Sequence, residues 1–294
     1  MDLRAIGMGL AFALMWSSAF TSARIIVMDA PPLASLGLRF MISGLIGVVI
    51  ARALGQNWNL NRAQWRAIFI FGLCQNALYL GLNFIAMQWI EAGLASIIAS
   101  TMPLMVAFAG RVFYGDRLKP LAAFGLAAGI VGVGLIMGSR LSGGVDMTGI
   151  ALCFIAAIAL TIATLAVRGA ASGGNLLMVV GLQMFVGSFF LTIASALTET
   201  IDVNLTWNLG IAFVYTTLVP GLGATWVWFA LVNRIGAVRA ATFHFLNPFF
   251  GVAIAALLLG EALGLMDVIG VAIITVGILA VQLSKQSPRG REAA

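Results

Sequence analysis

IIASTMPLMVAFAGRVFYGDRL, residues 97–118, and TFHFLNPFFGVAIAALLLGEAL, residues 242–263, are weak copies of one another displaced by 145 positions. Pro103 falls on Pro248, Gly115 on Gly260, Asp116 on Glu261 and Leu118 on Leu263. The register runs without a gap from 87–138 onto 232–283, where Gly125 and Gly132 meet Gly270 and Gly277, and ten of the 52 positions are identical. That is a modest number for so apolar a chain, and the paired prolines carry most of the weight. Each copy holds five apolar spans. An odd number makes the second copy enter the membrane from the opposite side, and such inverted repeats are typical of secondary transporters, with the substrate between the halves near the bilayer midplane.

Sixty-two per cent of the 294 residues are apolar and nine per cent charged, with a mean hydropathy of +1.07. A soluble domain carries about a quarter charged residues. A hydrocarbon core of about 30 Å takes about 20 apolar residues per helix. Ten segments qualify as spans 1 to 10: 6–27, 33–51, 66–87, 92–112, 121–138, 147–167, 176–197, 208–231, 239–259 and 264–283. The expected fold is all-α and integral to the membrane, ten transmembrane helices in two inverted five-helix repeats, residues 1–141 and 142–294. Span 1 is too long for a signal-peptide core, has only Arg4 on its flank and precedes nine more spans, so it is expected to remain as a helix. Cys74 and Cys153 fall inside spans and read as buried small residues rather than a disulfide.

The net charge of +6 follows topology. With the N-terminus in the cytoplasm, thirteen of the sixteen Lys and Arg residues fall inside: Arg4, Arg52, Arg62, Arg66, Arg111, Arg117, Lys119, Arg168, Arg234, Arg239, Lys285, Arg289 and Arg291. Arg24 and Arg140 fall outside, and Arg39 lies within span 2. This split is a strong positive-inside signal that places both termini in the cytoplasm. No nucleic-acid patch is implied. Every Asp and Glu lies in a loop or at a span end. The sequence therefore offers no midplane relay acid, no carboxylate pair for acid–base catalysis and no His/Cys/Asp metal cluster, so no enzyme, metal or cofactor is expected.

Neutral polar and aromatic residues gather on particular spans. Span 1 carries Trp16, Ser17, Ser18, Thr21 and Ser22, and span 4 carries Ser96 and Ser100. On span 3, Asn76, Tyr79 and Asn83 are spaced i, i+3 and i+7 and share a face. Span 8 has Tyr215, Thr225, Trp226 and Trp228 around Pro220-Gly221-Leu222-Gly223, and span 9 has His244 and Asn247 beside Pro248. Such groups suit a solute with an apolar body and a few hydrogen-bonding atoms. Ser, Thr and Asn in membrane helices also serve simply as ties between helices. The residues expected at the substrate are Trp16, Asn76, Tyr79, Asn83, Tyr215, Trp226, His244 and Asn247. Pro103 and Pro248 each remove a backbone bond inside a helix and are expected to kink it near mid-membrane, as hinges at equivalent points of the two halves. Gly125, Gly129, Gly132, Gly270 and Gly277 give spans 5 and 10 small faces for close packing, away from the cavity.

Two single residues admit two roles each. Arg39 costs roughly 2.5–3.5 kcal/mol at mid-helix. It either reaches helix-end carbonyls or an outer acid such as Glu91, or it recognises a carboxylate on the solute. Its counterpart, from the Gly37-Leu38/Gly181-Leu182 register, is Gln183. His244 is either a proton relay or a neutral imidazole hydrogen-bonded beside the kink.

Trp16-Ser17-Ser18-Ala19-Phe20, Gly37-Leu38-Arg39-Phe40, and a proline followed twelve residues later by Gly-Asp/Glu-x-Leu in each half resemble the drug/metabolite transporter superfamily, in its EamA-type ten-helix subgroup. The resemblance spans the chain and is nearest to the aromatic amino-acid exporters of the inner membrane. It implies a basket of helices around a central cavity, walled by spans 1–4 and 6–9 with 5 and 10 outside. The superfamily's small four-helix antiporters depend on a Glu in the first helix; span 1 here has Trp16 and no acid, so that mechanism does not carry over. The expected function is outward, facilitative movement of aromatic or apolar amino acids and related amphipathic metabolites or drugs by alternating access. A channel, or more remotely a membrane-embedded enzyme, is the alternative. The expected partners are the solute and membrane lipid, with a monomer as the unit.

Overall fold

Lipid offers no water to an unpaired backbone group, so a chain that crosses it must close its hydrogen bonds within helices. The computed structural model describes residues 3–115, 119–142, 144–166, 175–235 and 240–284. Ten helices in it are long and apolar enough to cross a membrane: α1 Leu3–Asp29, α2 Pro32–Ala53, α3 Arg62–Ala86, α4 Ala92–Phe113, α5 Pro120–Ser139, α6 Met147–Leu165, α7 Leu177–Thr198, α8 Trp207–Val232, α9 Thr242–Leu259 and α10 Leu265–Ser284. They fall on the ten expected spans. α3 starts at 62 rather than 66 because Asn61 and Gln64 form a capping box, each side chain accepting the other's backbone N–H at 2.9 Å. Asp116, Arg117, Arg168, Arg239, Lys285, Arg289 and Arg291 lie outside the described residues.

Successive helices alternate in direction, so α1 runs from what we term the near face to the far face and α6 opens the second repeat from the far face. The repeat is visible in backbone detail. α4 ends its first segment at Ser100, turns at Thr101 and restarts as Met102–Tyr114 with Pro103 in the first turn. In α9 a 3-10 segment, Ala241–Leu246, is followed by Asn247–Leu259 with Pro248 in the first turn. The junction residues Thr101 (φ −74°, ψ −11°) and Leu246 (φ −83°, ψ −14°) are 145 positions apart. Each proline thus heads a new segment, where its missing N–H costs little, instead of bending one continuous helix. Both second segments end on a left-handed glycine, Gly115 and Gly260, each with φ of 68°. The symmetry extends to wide π turns at Gly72–Leu80 in α3 and Thr217–Gly223 in α8, whose first residues are again 145 apart.

Two antiparallel seams join the repeats, and both depend on glycine. Between α5 and α10, a Cβ at Gly125 would stand 2.5 Å from the Gly277 carbonyl oxygen, and one at Gly132 would stand 2.8 Å from the Gly270 carbonyl oxygen. The reciprocal approaches are 2.7 and 2.8 Å. Small-residue faces of this kind let two backbones touch. Between α2 and α7, Gly44 meets the Gly181 carbonyl, and Ser188 Oγ donates to the Gly37 carbonyl at 2.8 Å.

The far face is tied by carboxylates that cap helices of the other repeat. Glu199 accepts the backbone N–H groups of Leu33 and Ala34 at 2.8 and 2.9 Å, at the start of α2. Glu261 accepts those of Ala92 and Gly93 at 2.7 and 2.8 Å, at the start of α4. Each satisfies donors that a helix start leaves open and lies at the positive end of its dipole. Asp29 accepts from Asn204 Nδ2 at 3.0 Å and Thr206 Oγ1 at 2.7 Å, and the Arg24 guanidinium donates to the Met87 carbonyl.

Two outcomes are expected. Gly277→Ala must displace the α5 backbone, at a cost of about 1–3 kcal/mol. It should lower the midpoint of thermal denaturation in detergent, whereas Gly134→Ala, with nothing within 4 Å of the new methyl, should not. Burial raises the Glu261 carboxyl above its usual 4.5, against the opposing pull of the Gly93 and Ala92 N–H groups. The folded protein therefore binds that proton more tightly than the unfolded chain, and stability falls as pH rises through the window above 4.5. The difference in melting midpoint between the wild type and Glu261→Gln should shrink across that window and level off at higher pH.

Candidate functional site

The irregular turns of α3, α4, α8 and α9 converge on one cavity of about 390 Å³, within the range of small-molecule sites, about 300–1,000 Å³. Its walls come from α1–α4 and α6–α9; no residue of α5 or α10 takes part. It extends toward the near face, where Ala67, Thr164, Val179 and Trp228 stand close to near-face helix ends. Toward the far face a second chamber of about 50 Å³ reaches Ala23 and Met87. Trp16, Phe20, Arg39, Gln75, Tyr79, Leu80 and Pro220 line both and form the neck between them.

One end of the cavity is an aromatic cluster about a histidine. His244 stands edge-on to Phe12 and Trp16, with centroids 5.1 and 6.3 Å away, and tilted against Trp228 at 5.3 Å. The Asn247 side-chain amide lies 2.9 Å from His244 Nδ1, a hydrogen bond whose direction follows the tautomer of the ring. The segment junction in α9 makes this possible by turning His244 and Asn247 to the same side. Asn247 Oδ1 is a buried acceptor without a partner, while its backbone carbonyl accepts from Ser17 Oγ at 3.2 Å. Arg39, Gln75, Asn76 and Gln183 add polar groups, and among the described residues no Asp or Glu is on the wall.

Of the expected site residues, Trp16, Asn76, Tyr79, His244 and Asn247 line the cavity, as do both Pro103 and its neighbour Met102. Pro248 is buried at the start of its segment and is not on the wall. Asn83 borders only the small chamber and is fully engaged: it donates to the Tyr79 carbonyl at 2.7 Å and accepts from Cys153 Sγ at 3.3 Å. Asn76 donates to the Gln183 carbonyl at 3.0 Å. The span 3 polar face is thus spent largely on helix–helix ties, since the π turn widens the coil on which Asn76 and Tyr79 sit. Tyr215 is off the wall, its hydroxyl 2.8 Å from Ser18 Oγ, tying α8 to α1. Trp226 is 68% exposed on the outer surface. Two helical residues on, the chain has turned by about 200°, and Trp228 is the indole that reaches the cavity. The spacing of Gly221, Thr225 and Trp228, i, i+4 and i+7, carries that information in the sequence. Phe12 and Gln183, also on the wall, had no motif to mark them.

The profile of the EamA-like transporter family matches the chain twice, at residues 3–138 and 147–283. The uncharacterized transporter YvbV of Bacillus subtilis (strain 168) is 26% identical over 286 residues, covering 95% of this chain and 92% of its own. A protein of Escherichia coli (strain K12) named "Probable amino-acid metabolite efflux pump" is 26% identical over 292 residues, covering 92% of each. One crystal structure superposes with a TM-score of 0.68 at 19% identity, over 96% of this chain and 99% of that one, which shows the shared fold. With ten membrane helices, a repeat that governs the backbone on both sides and a profile match in each half, the chain belongs to the EamA-like transporter family and is a multi-pass membrane transporter.

Proposed function

We propose that the protein exports amino acids with aromatic or apolar side chains, and amphipathic metabolites or drugs of similar shape, across the inner membrane by alternating access. The near face is the cytoplasmic one in this reading, and each repeat contributes one moving wall hinged at Pro103 and Pro248. The observation that carries it is the aromatic cluster of Phe12, Trp16, Trp228 and His244 at one end of a cavity whose other polar groups include a cation, amides and hydroxyls. Flat faces accept a ring by stacking and edge contacts, and a ligand's ammonium by cation–π attraction. The amino-acid efflux named for the Escherichia coli relative points the same way.

Transport is facilitative in this reading. A proton-driven carrier needs a group that loads and releases a proton at the site, and the wall has no carboxylate for it. His244 is hydrogen-bonded to Asn247 and packed among three aromatic rings. Purified protein in liposomes should equilibrate labelled aromatic amino acids down their gradients; concentrative uptake driven by a pH gradient alone would overturn the facilitator reading. Cysteine labelling should place position 62 in the cytoplasm, and periplasmic labelling there would reverse the orientation.

The wall geometry separates two neighbouring tryptophans. Trp228→Ala and Trp16→Ala should each lower the initial rate of phenylalanine or tryptophan uptake severalfold, normalised to reconstituted protein. Trp226→Ala, on the outer surface, should keep the wild-type rate.

A further inference from the structure

We propose that Arg39 anchors an anionic head group, a carboxylate, on the transported solute, at the neck between the two chambers. This deepens the reading above and rests on it only for the apolar body of the solute. Arg39 is the eighth residue of α2, roughly 10 Å along the helix from its far-face start. It is buried, with 6% of its surface exposed. A charge there must be offset, and the protein does not supply the offset. Its Nε has no hydrogen-bond partner. Among the described residues, neither chamber has an Asp or Glu on its wall. The far-face acids that could have reached inward are engaged: Glu199 caps α2, Glu261 caps α4, Asp29 holds Asn204 and Thr206, and Glu91, just before α4, has a partner of its own. What remains is the ring of Phe40, 5.1 Å from the guanidinium carbon.

The surroundings keep the guanidinium available. Gly221, in the π turn of α8, leaves room for it: a Cβ there would stand 3.3 Å from Nη2 and 3.1 Å from the Thr216 carbonyl oxygen. Arg39 belongs to the wall of both chambers, so an anion at the neck touches it from either side. A planar fork of donors matches a carboxylate with two parallel bonds. Among the described residues, Arg39 is the only Lys or Arg on either wall. One positive charge among apolar residues balances a monoanion, which favours a carboxylate over a doubly charged phosphate. The matching position in the second repeat, Gln183, is a neutral amide on the same wall, so the head group has one cationic end to find.

The test uses the full chain in proteoliposomes with labelled L-phenylalanine, 3-phenylpropionate, 4-methylpentanoate and L-phenylalaninamide. The wild type should move the carboxylates and discriminate against the amide by at least about tenfold. Arg39→Gln should cut carboxylate transport by at least about tenfold while leaving the amide's rate unchanged, and Arg39→Lys, a point charge without the fork, should retain part of it. Loss confined to carboxylates is a result that a purely structural role for Arg39 would not produce. If Arg39→Gln fails to elute as a monodisperse peak, the wild-type ratio between 3-phenylpropionate and the amide decides alone. Equal rates for acid and amide, or an Arg39→Gln protein that moves phenylalanine normally, overturn the anchor and leave the transport reading standing. Arg39-dependent movement of 4-methylpentanoate without phenylalanine overturns the aromatic reading and leaves the anchor. If no carboxylate moves, both fall.

Discussion

The requirement that every backbone N–H and C=O inside the bilayer find a partner decides where this protein can be irregular. Lipid-exposed helix surface tolerates no interruption, whereas backbone that borders a cavity or packs on protein does. The breaks follow that rule. The π turns of α3 and α8 contribute Gln75, Asn76, Tyr79, Pro220 and Gly221 to the wall, and the junctions of α4 and α9 contribute Ser100, Met102, Pro103, His244 and Asn247. α5 and α10, which contribute nothing to the wall, run unbroken. The cavity is where the helices stop being ideal, and the freed space and side-chain directions are what make it a site.

The same constraint explains how much of the molecule could be read from its sequence. Ten apolar runs, an odd number per repeat and paired prolines give the inverted ten-helix fold, because length and polarity suffice when water is absent. The glycines of α5 and α10 were legible for the same reason: side-chain-free faces at helical spacing have few uses other than contact. The wall was legible only in part. Trp16, His244 and Asn247 stand next to motifs, but the choice between Trp226 and Trp228 rests on the i, i+4, i+7 spacing of Gly221, Thr225 and Trp228, a face that no motif marks. Asn83 and Tyr215 were drawn into ties by Cys153 and Ser18, partners 70 and 197 residues away in sequence. No local pattern records such a pairing.

Symmetry of backbone and asymmetry of side chain divide the work. The two halves repeat their junctions, π turns and left-handed caps at one spacing, so the mechanical parts come in pairs. The chemical parts do not: Ala99 stands where the second half has His244, Met102 where it has Asn247, and Arg39 faces Gln183 in the corresponding register. The cavity wall presents aromatic faces and a histidine mainly from α1, α8 and α9, and amides from α3, α7 and α9. An oriented, two-ended ligand fits such a wall better than a symmetric one.

Asymmetry also bears on which face is closed. On the far face Glu199 and Glu261, both from the second repeat, each hold two backbone N–H groups at helix starts in the first. A hydrogen bond to a charged group contributes about 1.5–3 kcal/mol net, so parting the far face means moving both carboxylates from these donors into water. By the repeat registers, the near-face counterpart of Glu261 is Asp116, but the counterpart of Glu199 is Gly55, which has no side chain to offer. Its neighbour Gln56 does the tying instead, its Oε1 accepting the Met178 N–H at the start of α7 at 3.0 Å, so the near-face tie is a neutral amide holding one donor where the far face has a carboxylate holding two. A hydrogen bond to a neutral amide contributes less than one to a charged group, so the stronger ties lie on the far face, and the cavity reaches toward the near one.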